Sequence, residues 1–252
     1  HIFLQLGMWP EAAASNESAW ETSDSWMKRK HLSPSVRDYH SLHWLLYVYL
    51  QQGRYAKAEE LLTLMKKTMS ESTYDNKLRP GYYENNYANM AAAFVVETER
   101  WELASTLFPR SSGAGQSETG QSAMGSHGGH GASQPAPGTA PMTVRASNSG
   151  QRLPRFVRAL ADAFRPSADG GPVSDEPSSK SPADPQTSIG ELEVAAVSAS
   201  VKKDHDRAIE LMKQAIVLEE EMGPPSGPPG LIKPAHELFG EILLRAGKPE
   251  AA

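Results

Sequence analysis

The most regular feature of the chain is an apolar stripe, with steps of three and four residues, that recurs just after short polar turns. Tyr55, Ala58, Leu61, Leu62, Met65 and Met69 form one stripe, and Ala208, Ile209, Met212, Ala215 and Ile216 another. Trp9, Ala12, Ala13, Asn16 and Ala19 repeat the spacing near the start. Such spacing gathers side chains on one face of a 3.6-residue helix. Ahead of the turn runs a second helix-like segment, as from Tyr39 to Leu50. Five segments share one signature: a turn residue, a bulky or ring-bearing residue two positions on, and alanine three after that. They are Gly7-Met8-Trp9 with Ala12, Gly53-Arg54-Tyr55 with Ala58, Glu99-Arg100-Trp101 with Ala104, Lys203-Asp204-His205 with Ala208, and Gly247-Lys248-Pro249 with Ala252. The alanines are 46, 46, 104 and 44 residues apart. The pattern predicts a repeated helix, tight turn, helix unit whose long step holds inserted chain.

Each part of the signature has a physical task. A glycine takes the left-handed conformation that ends a helix. Alanine in the first turn of the next helix lets two antiparallel axes approach to about 8–10 Å. One pair cannot bury its own apolar face, so pairs must stack.

With Gly53 as the turn, Leu42, Leu45, Tyr49, Tyr55, Ala58, Leu62 and Met65 resemble the framework of a tetratricopeptide repeat. Leu46 stands where that family has a small residue, and Ser70 where it has proline. The segments from His1 to Gly7, Tyr47 to Gln51 and Ile232 to Ala252 are similar to large bacterial tetratricopeptide proteins of poorly defined function. The resemblance covers roughly residues 1–108 and 189–252. It implies an all-α, right-handed α-solenoid of antiparallel helix pairs, interrupted by disordered low-complexity insertions. A period of 44–46 residues exceeds the family's usual 34 or so, so the connections or helices must be longer.

Composition divides the chain. Residues 1–109 and 189–252 carry the helix-pair pattern, the latter cut short at its end. Residues 110–150 are rich in Ser, Gly, Ala, Gln and Pro and lack the apolar content to offset ordering entropy, so disorder is expected there. The same holds for 166–188, whereas 223–230 reads as an ordered but irregular loop. Between the two tracts, residues 151–165 show a short amphipathic helix with Leu153, Phe156, Val157, Leu160 and Phe164 on one side and arginines around it. It reads as a docked irregular repeat helix, with a tethered interaction segment as the alternative. Both chain ends look cut, so a leader is not assessable and self-association through open solenoid ends is an expectation.

A net charge of −5 and a pI near 5.9 give no pull toward nucleic acid or anionic lipid. The absence of cysteine removes disulfides, thiolate metal sites and cysteine nucleophiles together. No stretch approaches the roughly 20 apolar residues of a membrane span. No nucleophile elbow, phosphate-cradling loop or dinucleotide fingerprint is present. No cofactor is expected.

Because the first helix of each pair lines the concave face in tetratricopeptide folds, the resemblance puts His1, His40, His43, Tyr47, Asn86, Asn89, Glu193, Glu237 and Glu241 in a groove. Three imidazoles, His1, His40 and His43, with nearby carboxylates are weak metal candidates. Their spacing matches no compact ligand motif, and hydrogen bonding between helix pairs is the plainer role. His127 and His130 lie in a flexible-looking glycine tract, where chance composition suffices. The expectation is a non-enzymatic scaffold holding a protein or peptide with some basic character toward the last repeats. The alternatives are a metal-dependent activity in the same groove and a purely structural segment of a larger solenoid.

Overall fold

The computed structural model describes residues 2–71, 81–109, 149–165, 185–223 and 232–252. Within them the chain is all-α, with no strand. In chain order the helices are α1 (Ile2–Gln5), α2 (Trp9–Lys30), α3 (Tyr39–Gln51), α4 (Tyr55–Met69), α5 (Tyr82–Thr98), α6 (Ala104–Leu107), α7 (Ser149–Phe164), α8 (Pro185–Val201), α9 (His205–Met222) and α10 (Ala235–Arg245). Short 3₁₀ turns occupy Pro34–Val36, Trp101–Leu103 and Pro249–Ala251. No helix among the described residues is long and apolar enough to cross a membrane. The disorder expected of 110–150 and 166–188 and the loop expected at 223–230 fall almost wholly outside the described residues, as do His1, His127 and His130. At the margins, α7 begins at Ser149 and α8 at Pro185, inside those stretches.

The five signature turns share one backbone conformation. Gly7, Gly53, Glu99, Lys203 and Gly247 have φ of +67°, +67°, +52°, +66° and +71°. In four of them the following amide donates to a carbonyl five residues back: Met8 to Phe3, Arg54 to Tyr49, Asp204 to Ala199 and Lys248 to Leu243, at 2.8–2.9 Å. This closure satisfies carbonyls that a helix end leaves open. The alanines then do what close packing requires: Ala12, Ala58, Ala104 and Ala208 are all buried. Side chains start the helices too. Asp38 Oδ1 accepts from the Ser41 amide at 3.1 Å before α3, and Asp204 caps α9 through the Arg207 amide at 3.2 Å.

One apolar core runs through every part of the described chain, from Ala12 in α2 to Ile242 in α10. Leu46, the departure from a small residue, is fully buried, so the larger side chain fills the core at that point. Tyr39 links three segments: its ring meets Trp20 and Tyr83 edge-on at 5.6 and 5.0 Å, and its hydroxyl donates to the Pro34 carbonyl at 2.9 Å. Tyr83 likewise donates to the Ser35 carbonyl at 2.6 Å. Buried phenols are tolerated because their polar tips find such partners.

The third pair departs from the others. After the turn at Glu99 only a 3₁₀ turn and the four-residue α6 follow. Helix α7 packs between α5 and α8 instead, with Val157 and Leu160 buried. Arg158 Nη1 donates to the carbonyls of Phe108 and Pro109 at 3.0 and 3.1 Å, while Arg165 reaches Glu102 at 3.4 Å. The order is reversed, so α7 runs opposite to the Trp101–Leu107 segment. Its last ring, Phe164, stacks on Trp101 at 4.8 Å, and the Arg245 guanidinium covers it at 4.5 Å. That sandwich ties α10 back to the middle of the chain.

Replacing Gly53 with alanine meets no atom within 4 Å, so any cost is conformational. Gly53→Ala should lose about 1–2 kcal/mol through its left-handed φ. Lys203→Gly should gain up to about 1 kcal/mol at the equivalent turn, both read by urea unfolding. Equal stability of all three proteins would refute the shared-turn account.

Candidate functional site

The polar side chains of α3, α5 and α10 meet along one side of the core. His40 lies against Trp44, ring centres 4.9 Å apart, and Tyr47 meets Trp9 edge-on at 6.2 Å. His43, one helical turn from each, stands beside the Asn86 side chain of α5. Burial, and then the neighbouring His40, push the His43 imidazole down to about 4, with the Asn86 hydrogen bond opposing. His43 is therefore neutral at neutral pH and offers one donor and one acceptor. Tyr47 is pushed up to about 12 by burial and then by the carboxylates of Glu97 and Glu237. It stays a neutral phenol.

Beyond Tyr47 the site becomes acidic. Lys233, only 8% exposed, places Nζ 2.6 Å from both Glu237 Oε1 and Glu241 Oε1. Burial disfavours its charge, but the hydrogen bonds to these carboxylates outweigh that and raise its pKa. Glu97 of α5 is raised by burial and by Glu237, against Lys233 and a 3.4 Å hydrogen bond from Gln51 Nε2. A narrow cleft lined by Val96, Trp101, Leu160, Phe164, Lys233 and Glu241 opens beside the cluster.

Of the residues expected to line a groove, His40, His43, Tyr47, Asn86, Glu237 and Glu241 fall in this region. Asn89 does not join them by any direct bond described: its Nδ2 donates to the Asn85 carbonyl of its own helix at 2.8 Å. Glu193 departs from expectation. It is 1% exposed, buried in α8, and does not line an open surface. The reason is that α8 is apolar almost all round, with Ile189, Leu192, Ala195, Ala196, Val197 and Ala199 all buried, so an acid at its centre has no wet face to occupy. Burial, then Glu219, holds the Glu193 carboxyl well above the usual range, and Lys233 opposes. His1 lies outside the described residues. Among the described residues no group of three or more His, Cys, Asp or Glu side chains is placed to hold a metal ion.

Sequence reasoning passed over Lys233, Glu97 and Gln51. The spacing of four was a legible signal for Glu237 and Glu241, neighbours on one face of α10, with Lys233 just ahead of that helix. Glu97 carried none, because its place beside α10 depends on tertiary packing. The chain matches no family model, no curated protein and no solved structure.

A histidine that binds its proton only near pH 4 when folded, against about 6.5 when unfolded, favours the folded state most above pH 6.5. Its contribution falls as the pH drops below 6.5 and is lost by about 4, on the order of 3 kcal/mol in all. Urea unfolding of wild type and His43→Gln across pH 4–7 should show a steeper acid loss in wild type. Parallel curves would mean that His43 titrates normally.

Proposed function

We propose that the chain is a non-enzymatic helical-repeat scaffold, an α-solenoid of the tetratricopeptide kind, that holds a protein or peptide segment along its α3, α5 and α10 face. The repetition of one turn geometry at five places, with alanine buried after four of them, supports the repeat reading. The observation that carries the binding reading is the line of unlike polar groups along that face: a neutral imidazole with an amide beside it, a phenol, then carboxylates around one lysine. Such a row offers donors and acceptors over a length suited to an extended or helical segment, as curved repeat surfaces do. No nucleophile–base pair enters the reading. Its polarity favours a partner that is uncharged at the His43 end and basic at the Glu237 end.

The double variant His43→Ala/Tyr47→Ala should keep its helical circular dichroism. It should also lose about tenfold or more in affinity for a partner captured by the wild-type chain, in line with removing a central aromatic anchor. Unchanged affinity in that variant would move the site off this face.

A further inference from the structure

The charges around Lys233 do not balance. Glu237 and Glu241 both bond its ammonium at 2.6 Å, and Glu97 and Glu193 lie close enough to be affected by it. Glu219 adds to the field on Glu193, though its own Oε2 is committed to the Ala235 amide at 2.7 Å. Two carboxylates are thus spent on one buried cation while two further acidic side chains share the same region. A separate observation concerns Glu193: its Oε1 is buried and has no hydrogen-bond partner. An unpaired buried carboxyl oxygen is costly and is seldom left so without a use.

We propose that Glu97, Glu237 and Glu241 form a recognition site for the ammonium or guanidinium of a partner's basic side chain, and that Lys233 is the chain's own competitor for it. In the free protein Lys233 occupies Glu237 and Glu241. An incoming cation takes those carboxylates, and Lys233, on its flexible four-carbon stem, turns inward to the unpartnered Glu193 oxygen. The side-chain exposures suit the exchange: Glu237 is 48% and Glu241 30% exposed, against 10% for Lys233, so the acids face the arriving group. Tyr47, held neutral beside Glu97 and Glu237, supplies a ring face and a hydroxyl at the rim. This deepens the groove reading and rests on it for the partner, but the cation site is tested alone.

The probe is N-acetyl-lysinamide, titrated into the full chain at low salt and followed by the Tyr47 and His43 ring signals in NMR. N-acetyl-norleucinamide, which has the same four-carbon side chain without the ammonium, is the control. Saturable shifts with the lysine probe and none with norleucine are expected. Glu237→Gln/Glu241→Gln should weaken binding about tenfold, the scale of a lost charge-assisted bond. Lys233→Met should tighten it severalfold, and Glu193→Leu should weaken it by removing the inward acceptor. Should Lys233→Met fail to fold, as circular dichroism would tell, Lys233→Gln carries the same expectation. Equal shifts with both probes would overturn the cation site, and tightening in neither Lys233 variant would overturn the competitor role. If partner capture still depends on His43 and Tyr47 while the lysine probe shifts nothing, the cation site falls and the groove reading stands. Saturable lysine binding beside partner capture indifferent to His43 and Tyr47 removes the groove reading alone.

Discussion

Everything in this architecture depends on ending one helix and starting the next within three residues. The left-handed residue at Gly7, Gly53, Glu99, Lys203 and Gly247 reverses the chain, and at all of them but Glu99 the amide after it closes back on the helix just finished. Only with so short a reversal must the two axes lie close, and only alanine at the first buried position of the second helix admits that approach. At two of the five turns a non-glycine residue adopts the same conformation. A backbone strain of about 1–2 kcal/mol at each is evidently outweighed by the packing it permits.

The third pair shows what happens when the pattern is interrupted. Its second helix stops at Leu107, and the apolar surface that a full helix would have covered still has to be buried. Helix α7 meets that need from beyond the interruption and in the opposite direction. The Trp101–Phe164–Arg245 stack then joins the middle of the chain to its last described helix. Because of that junction, the Lys233 region lies near Glu97 and Tyr47, and polar residues far apart in sequence share one face.

That face grades from neutral to acidic for physical reasons. Near His43, burial and the neighbouring His40 penalise charge, so the imidazole stays neutral and pairs with an amide. Near Lys233, a single buried ammonium is held by carboxylates that remain partly in water, which lowers the desolvation cost of keeping ions there. The same accounting leaves Glu193, fully enclosed and without a partner at Oε1, as the least settled group of the cluster.

The five left-handed turns and the full helices α2, α4 and α9 that follow three of them were legible in the sequence, because helix periodicity, left-handed turns and small residues at close approach are local rules. His40, His43, Tyr47 and Asn86 were legible as groove candidates because their helices could be placed in register. Tertiary structure alone decided three matters. Glu193 went inside because the faces of α8 on every side of it are covered, and no single helix records what its neighbours will cover. Glu97 and Lys233 joined the site because α10 packs back toward α5, a long-range arrangement with no local signature. The direction of α7 followed from the surface left open at Leu107, which exists only once the other helices have assembled.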